Sequence, residues 1–344
     1  MQISPCSQAH LKGSSNSLSE MRALITGVAG QDGVILSTML AKQGVSITGL
    51  VKPGSDFSLL SQYAPSVTVV ECDLADLDGL VESIRLESPT HIWNFGGFTS
   101  VGDSWEHEAE VFSINVESVR ALLAGAASLD SDVRFFQAAS AAIFEGTDRS
   151  PQTATSTPHP ESPYARSKAA AMELVRSARE DSGLFACSGV LYNHESPLRG
   201  SNFVTRKVSM AVARIAAGLQ DRLELGDIEV ARDWGWAPDY VRASVLMLGA
   251  EKPSDYLLAT GISHRLSFFI QKAFLAAGIS NWQDYVVSTA ANSRPTDTNL
   301  LVGDSRAAYS ELGWRHSVDF DSMAAIMVAH DMALLSDPNA LWEI

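Results

Sequence analysis

The stretch TGVAGQDG at positions 26–33 constrains this chain more than any other. It follows the apolar run RALIT (22–26) directly and opens an amphipathic stretch at 32–43. Gly27, Gly30 and Gly33 are spaced GxxGxxG. Without side chains they let a strand turn sharply into a helix. They also let a pyrophosphate approach the backbone at the helix N-terminus, where unpaired N–H groups favour negative charge. A glycine triplet carries this meaning only inside an alternating α/β pattern, and the pattern is present. VSITGLV (45–51), VTVVE (67–71), HIWNF (91–95), VRFFQA (133–138) and FACSGVLY (185–192) are rich in β-branched and aromatic residues and read as strands. Between them, 32–43, 76–87, 105–129 and 162–182 read as helices, the last opened by Pro163. The alternation predicts an α/β chain, a Rossmann-type doubly wound parallel sheet with helices on both faces.

After about residue 195 the alternation weakens. Helices are expected at 203–217, from about 238, and at 320–335, with a loop-rich stretch at 280–303. This pattern predicts a smaller C-terminal substrate-binding lobe. The expected division is a flexible N-terminal extension (1–20), an NADP-binding Rossmann domain (21–195) and a mainly substrate-binding lobe (196–344). Segments at about 229–262 are expected to return to the Rossmann domain.

The end of the second strand distinguishes the two nicotinamide dinucleotides. A carboxylate there holds a ribose 2′-hydroxyl, whereas a basic residue suits a 2′-phosphate. In GLVKPGSDF (49–57), Lys52 stands at that place and no acid precedes Asp56, so the expected cofactor is NADP. Gln31 and Asp32 belong to the glycine loop. Asp73 and Leu74, after the third strand, are placed to meet the adenine, or Asp73 to cap the next helix.

Bulk composition narrows the partners. A net charge of −15 argues against a nucleic-acid-binding surface, which needs a basic stripe. Cys6, Cys72 and Cys187 form no CxxC pair, which points to a reducing, cytoplasmic setting without a disulfide framework or a metal site. No run of about 18 apolar residues predicts a membrane span. The polar, Ser-rich residues 1–20 lack the apolar core of a signal peptide.

Tyr164 and Lys168 form a YxxxK unit on an expected helix, so one turn brings both side chains to the same face. The Lys168 ammonium is expected to lower the pKa of the phenol, which then takes a hydroxyl proton as hydride leaves the attached carbon. Ser140 closes the preceding strand, at the sheet edge where ligands of such folds bind, and is placed to touch the same oxygen.

Glycine loop, Ser140, Tyr164 and Lys168 together resemble the extended short-chain dehydrogenase/reductases. YNHESPLRGSNFVTRKV (192–208), LGDIEVARDWGWAPDYV (225–241) and RPTDTNLLVGDSRAAYSELGW (294–314) closely resemble the GDP-mannose 4,6-dehydratase group of that family. The similarity runs from about Met21 to about His330. It implies a GDP-sugar substrate, contacted by Asn193, Val204, Lys207, Arg232 and Arg294, with His194 and Arg199 beside NADP. A homo-oligomer, dimer or tetramer, is implied as well. Arg199, Arg206, Lys207 and Arg232 also form a basic group in an otherwise acidic chain, suited to a diphosphate.

Enzymes of this group oxidise carbon 4 of the hexose, remove the carbon 5 proton, expel the carbon 6 hydroxyl as water and return hydride to carbon 6. The elimination uses a Glu two residues after the Thr or Ser that touches the sugar. Here that place holds Ala142 in the run SAAIFEG (140–146). Glu145 lies three residues farther on, and in an extended segment an odd offset turns it to the opposite face. Two activities need no acid at position 142, a GDP-hexose 4-epimerase and a 4-ketoreductase. A non-catalytic NADP-binding sensor is the alternative from another class.

Overall fold

The structure is a computed structural model and describes residues 20–129, 132–288 and 301–344. Seven strands form one parallel sheet in the order β10-β6-β5-β4-β1-β2-β3. In chain order these are β1 (Arg22–Thr26), β2 (Ser46–Val51), β3 (Thr68–Glu71), β4 (His91–Asn94), β5 (Arg134–Ser140), β6 (Phe185–Leu191) and β10 (Tyr256–Leu258). The helices α1 (Gln31–Ala41), α2 (Ser58–Tyr63), α3 (Leu77–Glu87), α4 (Glu108–Phe112), α5 (Ser118–Ala127) and α6 (Pro163–Ser182) connect them. The fold class is the one expected. A sheet covered on both faces buries nearly every strand side chain, hence continuous apolar runs such as RALIT rather than alternation. Chain order reverses between β1 and β4, and at that switch point the C-terminal strand ends open a crevice.

The stretch expected as one helix at 105–129 is divided. A single π-helical turn, Ser113–Glu117, separates α4 from α5. Such turns offset the helix by one residue and often lie at functional sites. Here it seats Asn115, 3% exposed, against the sheet.

Beyond β6 the chain builds a second apolar cluster. It includes Val208, Val212, Trp234, Trp236, Phe269, Phe274, Phe320 and Met327. Three helices supply much of it: α7 (Val204–Ala216), α9 (Leu266–Ala276) and α11 (Phe320–Ser336). Three strands, β7 (Asn193–Glu195), β9 (Ala231–Trp236) and β11 (Ser263–Arg265), form a small mixed sheet in the order β11-β9-β7. Between β9 and β10, α8 (Ala237–Leu248) packs on α1. At three residues each, β7 and β11 are too short to show a period, and in β9 the mixed Gly, Asp and Trp of ARDWGW do not read as a strand.

Candidate active site

The first turn after β1 is shaped by close backbone approach. Gly27 has φ +64°, and a Cβ there would lie 2.6 Å from the Gly96 nitrogen. A Cβ on Gly33 would lie 2.4 Å from the Gly27 carbonyl oxygen. Gly30 precedes α1 and provides no side-chain cap, so the first-turn N–H groups remain available to an anion. A cradle that a single methyl group would fill fits a dinucleotide pyrophosphate.

A buried polar chain runs from this turn across the strand ends. Gly96 N donates to Thr26 Oγ1 (3.0 Å), and the Thr26 hydroxyl donates to Asn94 Oδ1. Asn94 Nδ2 donates to Gln137 Oε1 (2.7 Å), and Gln137 Nε2 donates to the Ala138 carbonyl (3.0 Å). That carbonyl also accepts from Lys168 Nζ at 3.0 Å. Thr26, Asn94 and Gln137 are almost fully buried, and each is satisfied by its neighbours. None was singled out from the sequence. A polar residue interrupting an otherwise apolar buried strand was the available signal.

Tyr164 and Lys168 lie one turn apart on α6, with Nζ 5.9 Å from the phenol ring centroid. The Ser140 hydroxyl lies near enough to the phenol to act on it, and its Oγ accepts from Ala142 N at 3.2 Å. Burial pushes the Lys168 ammonium down to about 8. Burial also holds the Tyr164 phenol above its ordinary value, with Ser140 and the Arg199 charge working downward and the Glu145 charge upward. The expected depression of Tyr164 by Lys168 is therefore not what the chain alone produces. The ammonium is engaged by the Ala138 carbonyl, and desolvation of the phenolate dominates. Asn115 supports the same helix: its Nδ2 donates to Ser167 Oγ (3.0 Å) and its Oδ1 accepts from Phe98 N (2.8 Å). Sequence reading missed Asn115, a buried amide in a helix whose π turn has no local signature.

The second wall of the crevice is a charged cluster. His194 Nε2 lies 3.0 Å from Asp32 Oδ2, and its Nδ1 lies 2.7 Å from the Tyr192 carbonyl. With an acceptor at each nitrogen, the ring donates twice and is an imidazolium. Burial works against that charge, yet Asp32 wins and the His194 pKa is raised. Burial likewise works against the Asp32 carboxylate, but His194 and then Arg199 hold its pKa below the usual range. Gln31 Nε2 donates to both the His194 carbonyl and Asp32 Oδ1 (3.1 Å each), and its Oε1 accepts from Ser196 Oγ (2.8 Å). The Arg199 guanidinium sits 3.5 Å above the Phe203 ring, its Nε 3.2 Å from Glu195 Oε2.

Lys52 is exposed at the end of β2, 3.6 Å from the Asp73 carboxylate. Asp73 does not cap α3. That cap is Asp76, whose Oδ1 accepts from Gly79 N at 3.0 Å, while Asp73 closes a local turn to Ala75 N. Leu74 packs under the crevice, where a Cβ on Gly96 would come within 2.9 Å of it.

Asn193 stands on β7, opposite Trp234 of β9, and Arg232 lies two residues earlier on that strand. Val204 opens α7. Lys207 donates to the Glu224 carbonyl (2.8 Å), and Arg232 to the Ala231 carbonyl (2.8 Å). Arg294 lies outside the described residues. Arg206 does not join the expected basic group. It is buried against Asp331 between α7 and α11, because its position on α7 faces the lobe interior.

The turn after Ser140 is not extended. Ala141–Phe144 form one 3₁₀ turn with Ser140 as its cap. Glu145 follows it, its Oε2 accepting from Ser162 N (3.0 Å) and its Oε1 from Ser162 Oγ (3.2 Å). At three residues per turn, side chains three apart eclipse one another. Ala142 and Glu145 thus share a face, and the strand-based expectation of opposite faces fails. The strand ends at Ser140, and the two-residue period ends with it.

Comparison with known proteins agrees with this geometry. The family model described as GDP-mannose 4,6 dehydratase matches residues 24–327. A GDP-mannose 4,6 dehydratase of Arabidopsis thaliana is 38% identical over 333 residues, covering 93% of this chain and 92% of that protein. The Homo sapiens enzyme of the same name is 35% identical over 349 residues, covering 92% and 93%. Among solved structures, a UDP-glucose 4-epimerase from Thermotoga maritima superposes with a TM-score of 0.82 at 20% identity, covering 92% of this chain and 100% of that one. RMD from Pseudomonas aeruginosa, complexed with NADPH, gives 0.75 at 21%, covering 91% and 99%.

Proposed function

The chain belongs to the GDP-mannose 4,6-dehydratase family, and from that premise we propose that it is an NADP-dependent dehydratase converting GDP-mannose to GDP-4-keto-6-deoxymannose. The observation that carries the reading is the meeting of Ser140, Tyr164 and Lys168 at the sheet edge, beside the glycine turn and the Thr26–Asn94–Gln137 chain. Ser140 and Tyr164 together hold the carbon 4 hydroxyl, and the phenolate takes its proton. Lys168, buried and close to its titration point, keeps positive charge near the phenolate and hydrogen-bonds outward. A nicotinamide dinucleotide would be held by the glycine turn at Gly27, Gly30 and Gly33 with His194 and Arg199 beside it, and when bound would supply the hydride acceptor for carbon 4 and the hydride donor for carbon 6.

NADP rather than NAD is favoured by Lys52, an exposed cation at the end of β2 that lies 3.6 Å from Asp73. Arg199 and His194 supply positive charge near the pyrophosphate, and Asn193, Val204, Lys207, Arg232 and Arg294 are assigned to the GDP-sugar. The reading takes the chain up to about residue 195 as the cofactor domain and the remainder as mainly substrate-binding. It includes a homo-oligomer, dimer or tetramer, and a cytoplasmic setting. Free, buried Cys72 and Cys187 suit that setting, and among the described residues no helix is long and apolar enough to cross a membrane.

One observation favours a second reading. Ala142 has no proton to give, and a 4-epimerase or 4-ketoreductase needs none there. Mass spectrometry of the sugar nucleotide after incubation with the protein and NADP, followed by NMR of the sugar where the mass is unchanged, separates the readings. Loss of one water from the sugar nucleotide is expected. An unchanged mass with an altered sugar configuration overturns the dehydratase in favour of the epimerase.

A further inference from the structure

We infer that Glu145 carries the proton in the elimination step, in place of the carboxylate missing at position 142. The inference rests on the dehydratase reading above. Three features of the fold place it there. The 3₁₀ turn puts Glu145 on the same face as Ala142, one turn farther on, so its side chain leaves the turn on the side from which the missing carboxylate would have acted. The carboxylate is also aimed: two donors of Ser162 grip its two oxygens, and Ser162 stands two residues before Tyr164 as the cap of α6. Finally, Glu145 is close enough to Tyr164 for its charge to act on the phenol.

The anchoring suits the chemistry. Donors from Ser162 N and Oγ fix the position of both carboxylate oxygens. Once carbon 4 is a ketone, the carbon 5 hydrogen is acidic. Glu145 takes it as a proton, and the C5–H electron pair becomes the C5=C6 double bond. The C6–O bond breaks, and the departing hydroxyl takes the proton from Glu145 and leaves as water. Glu145 ends as it began, a carboxylate. The proton lifted from the carbon 4 hydroxyl by Tyr164 is the one that later returns to carbon 5, so protons and electrons balance. One group can take the carbon 5 proton and give it to the oxygen on carbon 6, and the half-buried Glu145 carboxylate is such a group.

The test separates carbon 4 oxidation from water loss, with the wild-type protein measured first. In Glu145→Gln, one side-chain oxygen still accepts from Ser162. Water loss and exchange of the carbon 5 hydrogen with deuterated solvent are expected to slow about a hundred- to ten-thousand-fold. Single-turnover reduction of the cofactor, and GDP-mannose affinity by calorimetry, are expected to stay within a few-fold. Restoring a carboxylate one turn back, in the double variant Ala142→Glu with Glu145→Gln, is expected to recover water loss, and it is the informative protein if the single variant folds poorly. The inference is overturned if Glu145→Gln dehydrates at the wild-type rate, or if it loses carbon 4 oxidation and water loss equally, as a purely structural role would require. A wild-type protein that oxidises carbon 4 yet never releases water overturns the dehydratase reading itself, and the role of Glu145 with it.

Discussion

The turn after β1 and the turn after β5 both end a parallel strand at the same crevice, yet they are built on opposite principles. Residues 27–33 work by having almost nothing: the backbone passes within 2.6 Å of where a Gly27 Cβ would stand, and the ligand is met by N–H groups. Residues 140–145 work through side chains, with Ser140 on Tyr164 and Glu145 on Ser162. A backbone site leaves a compositional trace, because only glycine satisfies it. A side-chain site depends on where the chain goes next, and one 3₁₀ turn is enough to bring position 145 to the face of position 142.

The sharpest way to test that contrast is to strike each turn and ask what is lost. Tyr164→Phe removes the proton acceptor of the second turn and nothing of the first. Turnover is expected to fall about a hundred- to ten-thousand-fold, with NADP affinity by fluorescence titration unchanged. If affinity falls in parallel, the two turns are not separable. Gly33→Ala does the reverse. Its methyl would lie 2.4 Å from the Gly27 carbonyl, where only backbone can yield, so stability is expected to drop about 1–3 kcal/mol and dinucleotide affinity with it. Urea unfolding and the same titration check both.

A smaller effect probes the charged wall that closes onto the first turn. His194 has a raised pKa in the folded chain, so its contribution is fully present below the unfolded value of about 6.5 and is lost as pH rises through the folded one. Asp32 has a lowered pKa, so its contribution is present above about 3.8 and is lost as pH falls through the folded one. The pair therefore stabilises most between about pH 4 and 6.5. A decline in wild-type Tm is expected above that window, and His194→Asn is expected to flatten it by a few degrees. An unchanged pH profile would show that the pair does not carry this stability.

The smallest effect concerns Lys52, outside both turns. Its pair with Asp73 is exposed and worth little, so Lys52→Ala is expected to leave Tm alone. A preference for NADP over NAD is expected to shrink about tenfold, the weight of one charge-assisted phosphate contact. If the ratio holds, the 2′-phosphate is read elsewhere.

How much of this was legible follows the same line. The six strands from β1 to β6 were readable as apolar, β-branched and aromatic runs that alternate with the helices α1, α3 and α6. The three-stranded sheet of β7, β9 and β11 was not, since β7 and β11 have three residues each, β9 is mixed in composition, and all three are ordered by partners far along the chain. Asn115 was hidden by a π turn, and the Thr26–Asn94–Gln137 chain by lying on three separate strands. Arg206 read as a ligand cation until its helix turned it onto Asp331.

The parallel α/β sheet, the glycine cradle and the Tyr164–Lys168 pair follow from the residues alone, because each rests on a local rule: burial on both faces, the missing Cβ, one helical turn. Which polar groups share a site was settled by the folding of the chain. It put Glu145 on the face of Ala142, tied Lys168 to the Ala138 carbonyl, and closed His194 onto Asp32 across 162 residues. Those outcomes depend on the direction of each side chain after the chain has turned, and local rules do not carry direction past the end of an element.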